Sequence, residues 1–150
     1  MRGTRTLRAA LAGAVAAGCW AAAEPLLGRA TGGYHRQARL IGGLVAADGS
    51  WRVAGLAIHI ANGAAFGVAF DRLGGHGVCR GVLAAEAENT LLWPLVAVLD
   101  RIHPDVRSGA WPPLARNPHA AAQEVLGHAV FGAVLGGLVT AQPGTVPEYP

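Results

Sequence analysis

The sequence predicts an all-α fold, a four-helix transmembrane bundle built from two tandem two-helix repeats. Three observations carry this. Four apolar segments, about 7–27, 51–70, 79–99 and 118–140, each approach the roughly 20 residues a helix needs to cross a bilayer. Charged residues make up only 14% of the 150 positions, roughly half the usual share. The first and third segments are bracketed alike, by Arg8 and Arg29 and by Arg80 and Arg101.

The second and fourth segments also correspond. Ala64-Ala65-Phe66-Gly67-Val68-Ala69 aligns with Ala129-Val130-Phe131-Gly132-Ala133-Val134, which sets His59 over Glu124. Two such units in tandem give parallel halves related by an axis along the membrane normal. A soluble bundle would need polar residues at roughly half the positions of each helix. The second segment has almost none.

In chain order, Arg2, Arg5 and Arg8 precede an uncharged Ala/Gly-rich run, Ala9–Ala23. That pattern fits a secretory signal peptide ending at Ala21-Ala22-Ala23, with Gly18-Cys19 a faint lipoprotein box. It also fits a retained first helix, and the repeat favours retention. Residues 30–50 form a loop: Thr31-Gly32-Gly33 breaks the helix and Asp48-Gly49-Ser50 is a turn. Between them Leu40–Ala47 is apolar but too short to span, so it lies at the interface or packs on the bundle. The second segment ends at Asp71-Arg72, and the short turn that follows predicts antiparallel packing of segments two and three. Pro94 falls inside segment three. Asn117-Pro118 marks a helix start, with Asn as cap and Pro at the first position. Residues 1–141 are read as one transmembrane domain, and the proline-containing tail 142–150 as disordered.

Gly63 and Gly67 in segment two, and Gly132 and Gly136 in segment four, have the spacing that lets helix backbones approach closely, so these two helices are expected to pack on each other. Cys19 and Cys79 lie on the order of 15 Å apart in depth at the helical rise, too far for a disulfide.

All twelve basic residues are Arg, and the net charge of +3 is scattered, without aromatics interleaved in a basic cluster. Nucleic-acid binding is therefore not expected. No nucleophile elbow, phosphate loop or zinc-protease signature is present, and the reading leans away from an enzyme. The absence of Cys-x-x-Cys-His excludes covalent haem. Five arginines fall on one side of the bundle and seven on the other, and this small asymmetry leaves orientation open.

The chemistry lies in polar groups at membrane depth: Glu24, His59, Asn62, Glu86, Glu88, Asn89, Glu124 and His128. Such groups are costly in lipid and mark functional sites or interhelical contacts. Measured along the helices they form a ladder across the membrane. Glu124 and His128 are spaced i, i+4 and share a face. Glu86 shares a face with Asn89 and Thr90, which reads as a lined interior. Glu88 points the other way, so it meets a different helix, a second subunit or lipid, and the neighbouring Leu91, Leu92 and Leu95 favour lipid or a second subunit.

Three functions compete. The first is a small transporter or a proton or cation path using the Glu and His groups. The second is a non-catalytic partner or assembly protein packing through its Ala/Gly faces. The third is a metal or haem site using His59 and His128, whose helices run the same way; no cofactor is expected, and the third ranks last. The partners implied are the lipid bilayer and, beyond it, a second copy or another membrane protein, in the inner membrane of a bacterium as a multi-pass chain. The run Trp93-Pro94-Leu95 through Asp100-Arg101-Ile102-His103-Pro104, with Gly127-His128-Ala129-Val130-Phe131-Gly132, resembles small uncharacterised bacterial membrane proteins. The resemblance covers the second half of the chain and implies no activity.

Overall fold

The structure, a computed structural model, describes residues 2–33, 35–46 and 48–140; the tail read as disordered lies outside them. The fold is all-α. Its helices are α1 (Arg2–Thr31), α2 (Gln37–Val45), α3 (Trp51–Arg72), α4 (Val78–Ile102), α5 (Pro104–Arg107) and α6 (Pro118–Thr140). Four of them, α1, α3, α4 and α6, are long and apolar enough to cross a membrane. That length and composition suggest a multi-pass membrane protein. Large apolar side chains such as Leu7, Val53, Leu83 and Leu91 stand exposed on their outer faces, as lipid contact requires.

The helix ends follow local chemistry. Gly32, at φ 72°, closes α1 in a left-handed conformation that only Gly adopts without strain. Asn117 caps α6, its side-chain oxygen accepting from the His119 backbone N–H at 2.9 Å. Pro25 and Pro94 sit inside α1 and α4, which run through them. Cys19 and Cys79 are both free and exposed.

The long helices lie in the order α3–α1–α6–α4. Packing is by backbone approach in two similar seams. A Cβ on Gly67 would strike the Ala9 carbonyl oxygen, and one on Gly13 would strike the Gly63 carbonyl oxygen. In the other half, a Cβ on Gly132 would meet the Gly81 carbonyl oxygen and one on Gly136 the Gly77 carbonyl oxygen. Ala9 and Gly81 are equivalent in the register that aligns Arg8 with Arg80; Gly67 and Gly132 are equivalent in that of the second and fourth segments. The two pairs therefore meet at corresponding positions. Between them α1 packs on α6, where Trp20 lies against Gly127.

Two packing expectations are corrected. Gly63 and Gly67 do not face Gly132 and Gly136: each pair is filled by a different helix, α1 or α4. Segments two and three, here α3 and α4, are joined by a short turn yet do not pack along their length. The reason is geometric. Once α1 occupies the glycine face of α3, and α6 that of α4, the α1–α6 contact holds α3 and α4 apart. In the first loop residues 40–45 of the apolar stretch pack on the bundle, one of its two expected placements, and they do so as part of the helix α2. This short helix packs on the start of α3 through Gly42 and Gly55, where a Cβ on either would strike the backbone opposite. α1 is also longer than the expected 7–27.

At the end carrying α2 and α5, which we call the cap side, the loops are bound together. Arg39 donates to Asp105 through Nε and Nη2 at 2.6 Å each. His103 stacks on Trp111 with 4.9 Å between ring centres. Asp100 accepts from the backbone N–H groups of Leu114 and Ala115 at 2.7 and 3.0 Å. At the opposite end Arg5 and Asp71 form an ion pair at 2.9 Å.

Candidate functional site

The gap between α3 and α4 is a cavity of about 350 Å³, with α1 and α6 as its back wall and α2 as its roof. Its lining joins polar and aromatic groups at mid-depth to apolar side chains near the roof. Leu44, Asn62, Leu92 and Leu95 line it and are themselves exposed. The cavity therefore opens sideways between α3 and α4, the direction from which lipid would approach.

Behind the cavity lies a buried polar network. Gln37, the first residue of α2, donates its backbone N–H to Glu24 Oε1 at 2.6 Å. Its side-chain amide donates to both carboxyl oxygens of Glu124 at 2.7 Å. His35 Nε2 meets Glu124 Oε1 at 2.6 Å, and Gln123 donates to the His35 carbonyl at 2.7 Å. All five residues are buried. Buried carboxyl groups require partners, and His35 of the loop together with Gln37 at the start of α2 supplies them.

Further along the helices from the cap side, His128 Nδ1 bonds the Glu124 carbonyl at 2.9 Å and His59 Nε2 the Ala17 carbonyl at 3.2 Å. The Trp20 indole touches both imidazoles, with ring centres 5.0 Å from His59 and 4.5 Å from His128. A haem plane between these rings would have to displace it. Among the described residues no three His, Cys, Asp or Glu side chains are disposed to hold a metal ion. The donor set therefore gives the cofactor reading no support.

Most of the polar groups border one cavity. Glu124, His59, His128, Asn89, Asn62 and Glu88 line the cavity, with Glu24 one contact behind through Gln37. Toward the Arg5–Asp71 end the bundle is closed by apolar packing that includes Phe70, Phe131, Leu135 and Val139. Glu86 is not in the lining, and Glu88 is, which reverses the sequence-based assignment of the two. Glu86 is engaged along its own helix: Asn89 Nδ2 donates to its Oε2 at 3.3 Å and Thr90 Oγ1 to its carbonyl at 2.8 Å. Its other oxygen, Oε1, is buried without a hydrogen bond among the described residues.

His35, Gln37, Gln123, Trp20 and Trp93 belong to the site or its support and were missed. The available signal was the need of Glu24 and Glu124 for donors, which a loop carrying His35 and Gln37 could meet. No known protein family, curated protein or solved structure matches the chain.

Proposed function

We propose that the chain is a multi-pass inner-membrane protein that works as a small carrier, coupling a cation or proton to binding in the cavity between α3 and α4. The observation that carries this is the position of the cavity. It lies where the two glycine-seamed helix pairs meet, and it gathers Glu88, Glu124, His59 and His128 at mid-depth. Transporters built from repeats place their substrate and ion sites near the midplane at the repeat interface. Groups that exchange protons are expected at such sites. Apolar packing closes the end bearing Arg5 and Asp71 and α2 roofs the other, so in this state the cavity opens sideways between α3 and α4.

The partner-protein reading has less support. The glycine faces it would use are already filled within the chain, by α1 on α3 and by α4 on α6. The carrier reading is tested in proteoliposomes with an imposed pH gradient. Protein-containing vesicles are expected to dissipate the gradient faster than empty ones when a transported cation is supplied. Vesicles that hold their gradient as well as empty ones, whatever inorganic or organic cation is added, would contradict it.

A further inference from the structure

We infer that the cavity is a binding site for a compact hydrophobic organic cation, with Glu88 as its counter-charge. The inference deepens the carrier reading and rests on it for transport, though not for binding.

Glu88 is the least satisfied acid of the cavity. Glu124 is held by His35 and Gln37. Glu88 lines the same space, half-buried, and makes no hydrogen bond or ion pair among the described residues. Leu92 and Leu95, further along α4, line the same wall. A carboxylate without a hydrogen-bond partner at membrane depth is costly unless another group offsets its charge. The chain offers Glu88 only the electrostatic influence of His128, with no hydrogen bond, so a ligand cation is the complementary group.

The rest of the lining agrees. Trp20, Phe66, Trp93 and Phe131 contribute aromatic rings, and the faces of such rings attract cations. No arginine lines the cavity, and the chain has no lysine. An anion would find no permanent counter-charge there. Near the roof Leu40, Leu44, Val96 and Leu99 form an apolar wall for a hydrophobic body. A volume of about 350 Å³ lies at the small end of ligand pockets, which admits one compact molecule and excludes a phospholipid. The sideways mouth between α3 and α4 opens where hydrophobic cations concentrate, in the bilayer.

The test uses the full chain in lipid nanodiscs and radiolabelled benzyltrimethylammonium as probe, read by equilibrium dialysis with empty nanodiscs subtracted. Saturable binding is expected. Glu88→Gln should weaken it about tenfold or more, the loss of one charge-assisted contact. Glu86→Gln should leave it unchanged and Glu88→Asp should largely retain it. Phenylmethanesulfonate, of similar size and opposite charge, should not compete. Equal binding by wild type and Glu88→Gln, or competition by the sulfonate, overturns the inference. If Glu88→Gln does not fold, the sulfonate competition and Glu88→Asp decide alone. Proton-linked activity without probe binding overturns this inference and leaves the carrier reading standing; binding without that activity does the reverse.

Discussion

The side-chain amide of Gln37 bridges both carboxyl oxygens of Glu124, at 2.7 Å each, while the backbone N–H of the same residue reaches Glu24 at 2.6 Å. One residue of a short cap helix thus satisfies acids on two long helices, and fixes α2 over the cavity. Gln37→Leu keeps comparable volume and removes the amide. It leaves Glu124 buried with His35 as its remaining side-chain donor within hydrogen-bond distance and should cost about 2 kcal/mol. Thermal unfolding in detergent measures this, and an unchanged midpoint would show that the bridge does not form.

The glycine seams predict which substitutions couple. Gly67→Leu and Gly132→Leu each force a side chain into a facing backbone and should each destabilise the bundle by about 1–3 kcal/mol or more. Because they lie in different seams, the double variant should show additive losses, within about 0.5 kcal/mol. Gly67→Leu combined with Gly13→Leu, within one seam, should be less than additive. Strong coupling between Gly67 and Gly132 would mean that α3 and α6 do pack on each other.

The spans were legible because their composition and spacing are local properties. Asn117-Pro118 marked the start of α6 at Pro118, where the helix begins. Helix pairing was not legible. The spacing of Gly63 and Gly67 announces a close approach without naming the helix that approaches; Gly13 lies in an Ala-rich run, and Gly77 and Gly81 straddle the start of α4. The α2 stretch was legible only as an apolar segment, Leu40–Ala47, at the interface or packed on the bundle; its start at Gln37 was not, because that residue's role depends on carboxyls remote in sequence. Glu86 was favoured over Glu88 because Asn89 and Thr90 share its face. Those groups instead bond Glu86 itself, a local arrangement that satisfies one helix and says nothing about the interior.

On the cap side, Arg39 hydrogen-bonds Asp105 and holds its carboxyl below the usual carboxylate range. The folded-state value is therefore lower than the unfolded one, near about 3.9. The pair's stabilisation is complete above the unfolded value and is lost as pH falls through the folded one. Asp105→Asn should lower stability by about 1 kcal/mol or less near neutral pH. The gap to wild type should shrink in strong acid. A gap that stays constant across that range would show that the pair contributes nothing.

Membrane insertion is tested at Leu91, which is 77% exposed on the outer face of α4. In lipid, Leu91→Asp places a charge against hydrocarbon, at about 2.5–3.5 kcal/mol near the centre of a span. It should reduce the amount of protein recovered in the membrane fraction. A Leu91→Asp protein recovered folded and monomeric in aqueous buffer would contradict the membrane reading.

The most direct test of the account compares Glu88→Gln with Glu86→Gln. Both acids lie on α4, only two residues apart, yet Glu88 lines the cavity and Glu86 does not. Each substitution keeps size and most hydrogen bonding while removing the exchangeable proton and the charge. The measurement is the rate of pH-gradient dissipation in proteoliposomes supplied with benzyltrimethylammonium. Glu88→Gln is expected to fall to the rate of empty vesicles with its unfolding midpoint intact, and Glu86→Gln to match wild type. Loss of activity in Glu86→Gln with Glu88→Gln unaffected would contradict the account and place the working acid outside the cavity.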